Sequence, residues 1–109
     1  MRTMMRVTIP AEAGNEAACK GTLGSTVQRI VDELKPEAAY FMAEDNGERT
    51  SVIFFDLKDS SHIPAVAEPW FLAFNARVTL RPVMNAKDLA AAVPGIEKAV
   101  KTFGKGAGK

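Results

Sequence analysis

The chain has 109 residues, 47% of them hydrophobic and 25% charged, with 8 Gly and 6 Pro, the proportions of an ordinary globular domain and not of a disordered tail or a collagen-like repeat. Cys19 is the only cysteine, which excludes an intramolecular disulfide framework and a cysteine-built zinc site, and no apolar run approaches the ~20 residues that cross a bilayer. The net charge of +1 hides a gradient, because five Lys against Asp88 and Glu97 give residues 86–109 a balance of +3 and leave −2 for residues 1–85.

In chain order, residues 2–9 alternate Arg2, Met4, Arg6 and Thr8 against Thr3, Met5, Val7 and Ile9, a period of two that predicts a strand closed by Pro10. Met1 to Pro10 is therefore no apolar signal segment, and a cytoplasmic protein is expected. Asn15 to Lys20 reads as a short helix capped by Asn15 and interrupted by Gly21 and Gly24. Ser25 with Gln28 three residues later forms a capping box for a second helix. Its Val27, Ile30, Val31 and Leu34 share one face, and Lys35-Pro36 ends it.

Asn46-Gly47 separates two runs of strand formers, Ala38 to Asp45 and Glu48 to Leu57, and is the preferred pair for a two-residue type I′ turn. Such a turn sets Glu44 opposite Arg49 as an ion pair, Phe41 opposite Val52 and Tyr40 opposite Ile53. Asp59-Ser60-Ser61 starts a helix whose stripe is Ile63, Val66, Ala67, Trp70, Phe71 and Phe74, with a kink expected at Pro69. Arg77 to Val83 is a fourth strand. Asn85 then caps a terminal helix with the stripe Leu89, Val93, Ile96, Val100 and Phe103, broken at Pro94-Gly95. Leu89 and Val93 are expected on the parent subunit, and the other three after a kink or against a neighbour. One domain over residues 1–104 and a flexible basic tail over 105–109 follow.

The order β-α-β-β-α-β plus a helix is the split βαβ, ferredoxin-like arrangement of the α+β class, with four antiparallel strands in the order 4-1-3-2 and two helices on one face. In the expected register Phe41, Val52 and Phe54 point to one face, and Tyr40, Met42, Ile53, Phe55 and Leu57 to the other. A sheet covered by helices on one side only should be polar on its second face. This one is apolar on both, so a partner sheet and a homodimer are expected. With this layout over residues 1–85, the chain resembles the dimeric α+β barrel superfamily. The segment Ile63 to Phe74, continuing through Asn75-Ala76 to Pro82-Val83-Met84-Asn85 and Asp88-Leu89, also resembles a group of small bacterial proteins with no established activity. The resemblance implies two subunits packed sheet to sheet and a range of functions, from cofactor-independent monooxygenases and isomerases to heme-handling enzymes.

Candidate sites are few. Arg2, Arg81 and Asp56 are expected to meet at one sheet edge with Arg6 deeper, as either an anion pocket or a charge-satisfying interface cluster. His62, in the first turn after the third strand and near Asp56 and Asp59, is a candidate general base or a surface residue. Tyr40 and Trp70 line a sheet–helix cavity for a ring-shaped ligand, or else pack the core. Cys19 reads as a small buried hydrophobe. The Gly21-Thr22-Leu23-Gly24-Ser25 loop lacks a nucleotide-binding spacing and reads as a helix break. The basic C-terminal end, without Arg and with Phe103 alone as an aromatic, reads as a solvated helix face. No metal, cofactor, nucleic-acid or membrane partner is expected. The function that follows is a small dimeric domain binding a small ligand or a protein. The alternative is a cofactor-independent monooxygenase or isomerase acting on an aromatic or quinone-like molecule.

Overall fold

The computed structural model describes residues 1–106, so the expected basic tail lies, in its last three positions, outside the described residues. Strand β1 (Arg2–Ile9) leads into helices α1 (Ala11–Cys19) and α2 (Leu23–Leu34), then β2 (Ala38–Ala43) and β3 (Arg49–Asp56). A 3-10 turn (Ser60–His62), α3 (Ile63–Phe74), β4 (Arg77–Pro82) and α4 (Ala86–Phe103) complete it. The four strands are antiparallel and run β2-β3-β1-β4 across the sheet, which read from the β4 edge is 4-1-3-2. This is a ferredoxin-like α+β sheet.

Alternation along β1 sorts the core: Met5, Val7 and Ile9 are buried while Met4, Arg6 and Thr8 are partly exposed. Ile53 and Phe55 of β3, Trp70 and Phe74 of α3, and Ala76 close the same cluster. α1 begins directly after Pro10, whose fixed φ of −55° suits a helix entry, so Asn15 is a mid-helix residue and not the cap. α2 starts two residues before Ser25; the expected capping box is absent, with Gln28 bonded instead to Asp32 one turn on. Lys35 in the left-handed region (φ 53°) ends α2 ahead of Pro36. Pro69 does not interrupt α3. Of its expected stripe, Ala67, Trp70 and Phe74 are buried, whereas Ile63 and Phe71 are exposed. Cys19, expected inside, is exposed.

The hairpin departs from expectation by one residue. Tyr40 faces Val52 and Phe41 faces Ser51, with Ala43 opposite Arg49. The Glu44 N–H donates to the Glu48 carbonyl and the Gly47 N–H to the Glu44 carbonyl. The loop is thus Asp45-Asn46-Gly47, and only Gly47 has a positive φ, of 84°. A type I turn followed by a left-handed glycine needs one special residue, whereas the type I′ pair needs two. Asn46 holds the returning strand instead, since its Oδ1 accepts from the Glu48 N–H at 3.0 Å and its Nδ2 donates to Glu48 Oε1 at 3.0 Å. Because side chains alternate along a strand, the slip sends every residue of β2 to the opposite face. Phe41 moves to the helix side and Tyr40 to the open side.

Asn85 caps α4 as expected, and the cap is reciprocal: its side chain accepts from the Asp88 N–H while Asp88 accepts from the Asn85 N–H. The helix then runs unbroken through Pro94-Gly95 for 18 residues. Contrary to expectation, Leu89 and Val93 do not bury on the parent body. They are 49% and 41% exposed, and Ile96, Val100 and Phe103 are 52%, 60% and 86% exposed. The molecule measures 66 × 29 × 22 Å with a radius of gyration of 18.6 Å, against about 13 Å for a compact domain of this size. The helix accounts for the elongation, leaving its first turn beside the sheet, where Arg2 Nη1 donates to Asp88 Oδ2 at 3.3 Å.

Candidate functional site

The open face of the sheet is built from the even-numbered residues of β1, β2 and β3 and their partners on β4. Arg6 lies across from Val52 and Thr79, Met4 across from Phe54 and Arg81, and Val52 and Phe54 across from Tyr40 and Ala38. Tyr40 and Phe54 make an edge-to-face aromatic pair with ring centroids 6.4 Å apart. Among the described residues no helix covers this patch, and Tyr40 remains 63% exposed. Charge is arranged around it in pairs. Arg6 binds Glu44 and Arg77 binds Glu48, and Arg2 Nε donates to Glu37 Oε1 at 2.6 Å. The Arg6 pair follows from the one-residue slip, which puts Glu44 on Arg6's side and removes it from Arg49.

The expected arginine corner forms only in part. Arg2 is registered directly opposite Asp56 but spends its hydrogen bonds on Glu37 and Asp88, which raise its pKa. Asp56 is held by Lys58 Nζ at 2.8 Å and by the chain's N-terminal ammonium at 2.6 Å. Those two bonds, Lys58 first, bring the Asp56 carboxyl down to about 2. Arg81, beside Met4, has no acidic partner within 4.0 Å among the described residues. A depressed carboxylate pKa contributes stability above its unfolded value, near pH 4, and loses it as pH falls toward the folded value. Unfolding curves between pH 4 and pH 2 are therefore expected to be flatter for Asp56→Asn than for the wild type. Raising the Asp56 titration midpoint by Lys58→Met, followed by NMR, checks the cause.

Tyr40, Trp70 and His62 do not converge. Trp70 is fully buried on the helix side, with its ring centroid 6.3 Å from that of Phe74, so the sheet stands between it and Tyr40. Among the described residues, its buried indole N–H has no hydrogen-bond partner. His62 is exposed at the end of the 3-10 turn, where its backbone N–H donates to the Asp59 carbonyl at 3.0 Å. Asp59 in turn accepts from the Ser61 N–H, which with the nearby His62 lowers its pKa. Trp70, Met5 and Ile53 are fully buried between sheet and helices, and the cleft of about 240 Å³ that Trp70 lines lies between α2 and α3, away from Tyr40 and His62.

An apolar groove of about 450 Å³ lies instead where the N-terminal half of α2 stops short of the β2 edge. Ile9, Leu23, Val27 and Phe41 line it, and Arg49 and Gln28 are among its polar members. Phe41 is 59% exposed there. Arg49 Nη1 donates to Asn15 Oδ1 at 3.0 Å. The guanidinium passes so close to Gly14 that a Cβ at that position would lie 2.7 Å from Nη1. Reading the strands with a two-residue turn hides both Phe41 and Arg49. The signal that finds them is Gly47 as the third loop residue after Asp45-Asn46.

No family model matches the chain, and no curated protein matches it. Among solved structures it is similar to a formyltetrahydrofolate deformylase from Pseudomonas putida KT2440, with a TM-score of 0.48 and 12% identity, over 95% of this chain and 39% of that chain. The chain thus spans about two fifths of the length of that protein. Among the described residues, no helix is long and apolar enough to cross a membrane, and no three His, Cys, Asp or Glu side chains gather as a metal ion requires.

Proposed function

We propose that this chain is a binding module that works as a homodimer, two copies packing sheet against sheet as in a dimeric α+β barrel. The observation that carries the reading is the patch of partly buried Met4, Val52 and Phe54 on the two central strands, continued by exposed Tyr40 on the edge strand β2. Patches of this kind on a monomer usually mark an interaction surface. A second copy suits it because the surface is its own complement: an apolar centre with acids and bases both set around it, so a two-fold axis brings unlike charges within reach of each other. The area agrees. These four side chains, with Arg6, Thr79 and Arg81 beside them, offer roughly 400 Å² per protomer, and the five-residue stripe of α4 about as much again. Together they approach the ~800 Å² per partner of a stable complex. In this arrangement α4 reaches past its own domain to lie against the second copy, which explains why an amphipathic helix extends from the body with its apolar side bare.

Sedimentation equilibrium tests the reading. At micromolar concentration the expected mass is twice the 11.7 kDa of one chain. A species of 11.7 kDa overturns it.

A further inference from the structure

We infer that the groove beside Arg49 is a binding site for a small carboxylate with a ring-sized apolar body, the carboxylate being received by the Arg49 guanidinium. This deepens the binding-module reading by naming a ligand class, and it needs only one chain. A groove of about 450 Å³ falls within the ~300–1,000 Å³ of small-molecule sites, which are typically apolar with a few placed polar groups. Leu23, Val27, Ile9 and the half-bare ring of Phe41 supply the apolar wall.

Arg49 supplies the polar end. Among the described residues no carboxylate lies within 4.0 Å of it, although Arg2, Arg6 and Arg77 on the same sheet each have one. Its one hydrogen-bond partner is a neutral amide oxygen, Asn15 Oδ1, which occupies one of five N–H donors. The side chain is nonetheless placed: Asn15 ties its tip, and Gly14, buried on α1, gives it room that any larger residue would take. An oriented guanidinium fork matches a carboxylate with two parallel bonds. The charge disfavours amines. It also disfavours α4 of a second copy as the occupant, since that helix carries Lys98 and Lys101 and is ~27 Å long, far beyond the groove.

The experiment is a titration of the full chain, labelled with nitrogen-15, with phenylacetate. Phenethylamine (same ring, opposite charge) and acetate (same head, no ring) serve as comparators. Saturable shifts at the amides of Gly24, Val27, Phe41 and Ser51 are expected with phenylacetate alone. Arg49→Met should weaken binding at least tenfold. Gly14→Ala, which pushes on the guanidinium tip without lining the groove, should weaken it severalfold while the spectrum stays dispersed. Equal binding of phenethylamine overturns the inference, as does unchanged affinity in Arg49→Met. So do groove shifts that appear on dilution without ligand, which would make a second copy the occupant. The groove lies on the helix side, so Phe54→Asp should bind phenylacetate as the wild type does. A monomeric wild type that still binds contradicts the dimer alone, and a dimer that does not bind contradicts the groove alone.

Discussion

Phe54→Asp is expected to convert the proposed dimer into monomers. Phe54 sits on β3 at the centre of the open face, paired across the strands with Met4 and Ala38 and packed edge-on against Tyr40. Losing a central aromatic contact costs about 2 kcal/mol or more at an interface. A two-fold axis counts the loss twice, so Kd rises roughly a thousandfold. The introduced carboxylate adds repulsion from its symmetry mate. Because association stabilises only the folded chain, the melting temperature should fall and become independent of protein concentration. Sedimentation velocity and melting at two concentrations check both effects. A variant that remains dimeric would show that the sheet face is not the interface.

Trp70→Ala should have the largest effect on folding. Trp70 is fully buried, packed in one cluster with Met5, Val7, Ile53 and Phe74. Truncating a buried aromatic costs about 3–5 kcal/mol, a large share of the roughly 5–15 kcal/mol that holds a domain together. Trp70→Phe should be far milder, because the indole N–H it removes is buried without a partner and such a group itself costs about 1–3 kcal/mol. Urea unfolding of the two variants measures the difference; equal losses would contradict the unsatisfied N–H.

Strong periodicity made the four strands and α3 readable in the sequence, along with the core along β1 and α3, because burial on one face enforces the period of two or of 3.6. The turn was less readable. Asn46-Gly47 satisfies either a two- or a three-residue loop, and the longer one, Asp45-Asn46-Gly47, is seen in the structure with the Glu48 N–H donating to Asn46 Oδ1. That single residue reassigns Tyr40, Phe41, Glu44 and Arg49, and with them the whole candidate site. The position of α4 was unreadable for another reason. Its stripe says that something covers it, but amphipathicity does not say whose surface does. The expected packing of Leu89 on the parent domain assumed a turn back that Val83 and Met84 do not make.

The sheet-to-sheet dimer is tested most directly by mixing isotopically labelled and unlabelled chains and recording only magnetisation that crosses between protomers. Sheet-to-sheet packing gives cross-peaks linking Met4, Tyr40, Val52 and Phe54 of one protomer to the same group of its partner, with further cross-peaks from Val100 and Phe103 of α4. Cross-peaks confined to α3, or none from the open face in a sample of dimeric mass, would contradict it.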